Sequence, residues 1–110
     1  MVRRSSKTTG ATLPGFEDDS QAEIEFERRK RICVSLWAWA YEKHSASIVP
    51  DSHFDKTCLS IDTSVKTGNK RLDAFFESEF HPDTGQWVHK HPEKPKLEKL
   101  YQRLVKSGAI

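Results

Sequence analysis

The chain has 110 residues, 35% of them hydrophobic, and its 18 basic and 16 acidic side chains leave a formal charge of +2. That length holds one domain and a modest core, and the near balance of charge does not mark a nucleic-acid binder by its sum. No apolar run approaches the roughly 20 residues that span a bilayer, and the N-terminus lacks a signal-peptide stretch, so a cytoplasmic location is expected, in the host if the source is viral. Cys33 and Cys58 sit in apolar contexts far apart, which points to free thiols rather than a disulfide framework or a CxxC redox pair.

Residues 1–20 combine Ser, Thr, Gly and Pro with a basic start and an acidic finish, and offer only Leu13 and Phe16 as sizeable apolar groups. They read as a flexible tail ahead of a single helical domain over 21–110. From Gln21 to about His44 neither Pro nor Gly interrupts the chain. Ile32, Leu36, Trp39 and Ala40 recur at helical spacing beside a second row of Cys33, Trp37 and Tyr41, predicting a long helix whose charged first half projects into solvent.

A loop over Ser45 to Pro50 precedes a short helix carrying Phe54, Cys58 and Ile61, with Asp51 placed to cap it. Thr67-Gly68-Asn69 then punctuates the chain before Leu72, Phe75, Phe76 and Phe80, whose offsets suit a third helix. His81 to Gly85 reads as a turn, and Gln86 to His89 as an extended or loop segment anchored by Trp87, with a small hairpin over Thr84 to Val88 as an option. Leu97, Leu100, Tyr101, Leu104 and Val105 form a stripe for a last amphipathic helix, with Pro95 in its first turn and Gly108 as its stop. The expected fold class is all-α or mostly α.

The most informative pattern joins the first two helices: Tyr41-Glu42, then Asp51-Ser52-His53-Phe54-Asp55. A helix end bearing an aromatic ring, facing a helix start bearing carboxylates, makes a pocket for a flat ring with polar substituents. Trp39-Ala40-Tyr41 through Ile48-Val49-Pro50-Asp51-Ser52-His53-Phe54-Asp55 resembles the N-terminal module of NAD-dependent DNA ligases, which binds the nicotinamide mononucleotide half of NAD. The module would cover residues 36–61, and the chain also resembles small phage-encoded proteins related to these ligases.

That resemblance implies that Tyr41 stacks on nicotinamide, that Asp51 and Asp55 are its polar partners and that Phe54 fills the second aromatic position. The ligand would then be nicotinamide mononucleotide or NAD. Two departures stand out: the family has His where this chain has Glu42, and Tyr where it has Phe54. The plainer alternative is an inherited scaffold without a ligand, in which Asp51 caps a helix, Asp55 favours its first turn, and Tyr41 packs on Phe54. Ligase chemistry itself is excluded, because the family's Lys-x-Asp-Gly nucleophile motif and the nucleotidyltransferase domain around it do not occur in the sequence.

Other signals compete less well. Arg28-Arg29-Lys30-Arg31, with Arg3, Arg4 and Lys7, offers a contact for DNA or for a host protein, but Glu25 and Glu27 precede the run at i, i+4 spacing from Arg29 and Arg31, which favours a solvated, self-paired face. Exposed aromatics among the basic residues would strengthen a nucleic-acid reading. His81, His89 and His91 with Cys58 fit no zinc pattern, so no metal is expected, and His53 reads as a pocket-rim residue. Lys66 to Lys70 lacks the strand and spacing of a phosphate loop. The sequence therefore predicts a non-catalytic binding protein, with a host-protein interaction module and a nucleic-acid accessory protein as the alternatives.

Overall fold

The computed structural model describes the backbone over residues 14–109 and the side chains over 21–109. Four α-helices, α1 (Pro14–His44), α2 (Asp51–Leu59), α3 (Lys70–Ser78) and α4 (Lys94–Ser107), are joined by loops and one 3-10 turn, Gln86–Lys90. No strand occurs among the described residues, so the fold is mostly α, and the segment around Trp87 is a 3-10 turn rather than an extended piece or hairpin. Residues 1–13, with Arg3, Arg4, Lys7 and Leu13, lie outside the described residues. Helix α1 starts seven residues ahead of Gln21.

Helix α1 is the spine against which α2, the 3-10 turn and α4 pack. Its buried side is made by Val34, Ala38, Trp39 and Ala40, continued upstream by Glu27 and Arg31. The core face only partly follows the rows read in the sequence: Trp39 and Ala40 are buried, but Ile32 and Tyr41, one from each row, are exposed, and Val34 and Ala38, which belong to neither row, are buried. Small residues at Val34, Ala38 and Ala40 let the partner elements approach α1 closely.

The charged first half of α1 does not simply project into solvent. Arg31 is only 4% exposed, and its guanidinium donates to Glu27 Oε2 (3.0 Å), Asp73 Oδ1 (2.9 Å), and the carbonyls of Asp62 (2.8 Å) and Val65 (3.0 Å). Asp73 also accepts from the Thr67 hydroxyl (2.7 Å) and amide (3.0 Å), and Glu27 from the Asp62 amide (3.0 Å). Burial acts to raise the Asp73 pKa, but the Thr67 hydrogen bonds and Arg31 together hold it below the usual carboxylate value. The planar fork of guanidinium donors ties α1, the 60–67 connection and α3 together while leaving each buried charge paired.

The remaining elements follow local chemistry. Asn69 caps α3 by accepting from the Leu72 amide (3.2 Å), and Phe75 and Phe76 beyond it are buried. Phe80 and Trp87 pack at a tilt on Phe76 and edge to face on each other, and the Trp87 indole donates to the Thr84 carbonyl (2.6 Å). In α4 only Leu97 is fully buried, and Gly108, at φ 78°, makes the left-handed turn that ends the helix as its position predicts. Glu98 fastens α4 to the end of α1, accepting from the Trp39 indole (2.8 Å) and bonding His44 Nε2 (2.7 Å).

Candidate functional site

The connection between α1 and α2 is built by two backbone devices. At the end of α1, Ser45 takes a left-handed φ of 53°, and the Ala46 amide donates back to the Ala40 carbonyl (3.0 Å). Glycine usually fills such a position, and a serine there stores modest strain beside the site. At the start of α2, Pro50 rather than Asp51 is the cap residue: its extended backbone aims its carbonyl at the amides of His53 (3.0 Å) and Phe54 (3.1 Å), and no side chain caps the helix. Asp51 is instead the first helical residue, where the exposed amides favour its negative charge.

These turns bring Tyr41, Asp51 and Phe54 onto the wall of one cleft of about 280 Å³. Trp37, Ala38 and Glu42 line it from α1, Ser47, Ile48 and Val49 from the connection, and Thr84, Gly85 and Gln86 from the segment before the 3-10 turn. Tyr41 is 61% exposed at the mouth, and Phe54 is half-buried deeper in. Asp55 is exposed and does not line the cleft; its charge acts on Cys58, whose thiol is pushed up to about 12 mainly by burial. The second carboxylate of the cleft is therefore Glu42, held at 2.8 Å from His89 Nε2.

Gly85 is the residue that sequence reasoning passed over. A Cβ there would sit 3.2 Å from the Ala38 Cβ and 3.5 Å from the Phe54 ring, so the missing atom lets the loop lie against α1 without crowding. A glycine two residues ahead of a buried tryptophan is the signal that could have marked it, since the anchored indole fixes the loop and the glycine permits close contact. Sequence reading identified the turn, but not what it packs against.

Electrostatically the cleft is one-sided: its lining includes two carboxylates, Glu42 and Asp51, three aromatic rings, Trp37, Tyr41 and Phe54, and no Lys, Arg or His. Such a lining suits a flat cationic ring, which gains from ring faces and from nearby negative charge together. The same lining offers nothing cationic to a phosphate.

The basic run divides. Arg31 is enclosed in the core, Arg28 pairs with Glu25 (2.9 Å) and donates to the Thr67 carbonyl, Lys30 pairs with Glu27 (3.1 Å) and donates to the Ser60 carbonyl (2.7 Å), and Arg29 is exposed. The expected Glu27–Arg31 pair is present at 3.0 Å, while Glu25 reaches Arg28 rather than Arg29. His53 does not rim the cleft; it packs on Trp37 from the opposite side, 5.3 Å between ring centroids. His91 is buried against Phe75 and burial drives its pKa down to about 4. Among the described residues no His, Cys, Asp or Glu side chains converge as a metal site, and no helix is long and apolar enough to cross a membrane.

No protein family, curated protein or solved structure matches this chain. The likeness to the ligase module rests on the residues of the α1–α2 pair and on nothing wider.

Proposed function

We propose that this is a non-catalytic binding protein whose α1–α2 cleft takes the nicotinamide ring of a nicotinamide nucleotide in its oxidised, cationic form. The observation that carries the reading is the convergence of Tyr41, Asp51 and Phe54 on one cleft with Trp37 and Glu42. Tyr41 and Trp37 supply ring faces, Phe54 an apolar floor, and Glu42 and Asp51 the negative charge that a pyridinium selects. A ligand cation over an aromatic face gains about 0.5–2 kcal/mol, and a neutral dihydropyridine forgoes that gain.

Charge sets the order of the ligands. The phosphate of nicotinamide mononucleotide meets two carboxylates and no cation in this cleft, so nicotinamide riboside binds at least as tightly as its phosphate ester. Calorimetric titration with oxidised and reduced nicotinamide mononucleotide, nicotinamide riboside and AMP tests this. The expected order places the riboside first and the oxidised mononucleotide next, with the reduced form and AMP weakest; Tyr41→Ala removes binding while the helical signal persists. Equal affinity for oxidised and reduced forms, or for AMP, would refute the assignment.

A further inference from the structure

A second aromatic surface lies on the other side of the α1–α2 pair, and its charge is opposite. Phe26, Arg29, Lys30, Cys33 and Trp37 of α1 and His53, Lys56 and Thr57 of α2, with Ser60 just beyond it, line an open groove of about 410 Å³. No carboxylate lines this groove. Phe26 is 64% exposed, and the Lys30 ammonium lies 5.1 Å from its ring centre, holding the ring beside a positive charge. The Trp37 and His53 rings lie 5.3 Å apart at a 55° tilt, and Arg29 and Lys56 are exposed on facing helices.

We propose that this groove is a contact surface for single-stranded nucleic acid. Three flat rings and three cations, interleaved across two helices and free of lining carboxylates, match a polymer that alternates an unstacked base with a phosphate. Phe26 is the stacking platform: an aromatic side chain this exposed on a charged helix gains little from the core, and its surround is cationic. Arg29 and Lys56 bracket the groove from its two walls and neutralise successive phosphates. Lys30 is partly committed to Glu27 and Ser60, so it fixes Phe26 more than it reaches outward. A duplex, whose bases are already stacked and paired, has no face to offer the rings, so its binding would be weaker. The cations of this surface come from both helices, and of the Arg28-Arg29-Lys30-Arg31 run only Arg29 and Lys30 take part.

Fluorescence anisotropy of the full chain with a labelled 12-mer of deoxythymidine tests the proposal. The expected result is saturable binding whose logarithmic salt slope is about −1.4, the value for roughly two phosphates on a single strand. Phe26→Ala weakens it roughly tenfold or more, and Lys56→Glu lowers both affinity and slope. Lys99→Glu, the same charge change on the exposed face of α4, shifts affinity less than about twofold if local contact rather than net charge decides. Far-UV circular dichroism confirms that each variant is folded, which the exposure of Phe26 and Lys56 favours. Absence of binding at low salt, equal affinity for a duplex of the same length, indifference to Phe26→Ala, or displacement by poly-glutamate at equal charge would each overturn the proposal.

Discussion

The two sides of the α1–α2 pair use the same ring chemistry with opposite charge. On one side Tyr41 and Phe54 stand with Glu42 and Asp51; on the other Phe26 and His53 stand with Arg29, Lys30 and Lys56; and Trp37 is the wall they share. Aromatic residues alone do not choose a ligand, since every ring has a face to stack on. The charges beside them differ in sign, which is why a cationic ring is proposed for the first side and an anionic strand for the second.

The largest effect should come from the core that both sides stand on. Arg31→Ala leaves Glu27 and Asp73 buried without their common partner, and such a loss costs about 3–5 kcal/mol, whereas Arg29→Ala on the exposed face changes stability by no more than about 0.5 kcal/mol. Urea unfolding of both variants measures this. Equal costs would break the division of the basic run between core and groove.

The contrast between run and core also explains what the sequence made legible. The four helices, the break at Thr67-Gly68-Asn69 before α3, the stop at Gly108 and the Tyr41–Asp51–Phe54 convergence all follow from local spacing, because each is set by segments near one another in the chain. The core face of α1 did not follow, since Ile32 and Tyr41 have the right spacing but Val34 and Ala38 are the positions small enough for close packing. Arg31 looks like its neighbours in sequence, and partners 31 to 42 positions away, the Asp62 and Val65 carbonyls and Asp73, make it a core residue. Gly85 entered the site the same way, through a contact between distant segments, whereas Glu42 stands beside Tyr41 in the pattern already read from the sequence.

Acid should weaken the shared scaffold next. Buried His91 binds its proton only near pH 4, while in the unfolded chain it does so near 6.5, so between those values the unfolded state holds more protons. Stability from this residue is complete above 6.5 and declines as pH falls toward 4. Glu98, held at about 2 by hydrogen bonds from His44, Gln102 and Trp39, adds a loss at lower pH, from its ordinary 4.5 down to about 2. Thermal melts across this range should show His91→Asn flattening the upper part of the decline and Glu98→Gln the lower. An unchanged profile in His91→Asn would show that His91 does not carry the upper decline.

Closing one side alone sharpens the comparison further. Gly85→Val places methyl groups against Ala38 and Phe54, so nicotinamide riboside affinity should drop at least about tenfold, or roughly 1.4 kcal/mol, while oligonucleotide binding stays within about twofold. A parallel loss of both would mean that the two surfaces are one site. The smallest effect is at Ser45, where glycine relieves the left-handed backbone and should stabilise by roughly 0.5–1 kcal/mol in the same urea assay. Destabilisation would contradict the left-handed turn.

An amide and indole NMR titration with nicotinamide riboside tests the cleft most directly. Saturable shifts are expected at Tyr41, Glu42, Gly85 and Gln86 and at the Trp37 indole, with Phe26, Arg29 and Lys56 unmoved. No shift at millimolar riboside, or shifts centred on Phe26 and Lys56, would contradict a nicotinamide site between α1 and α2.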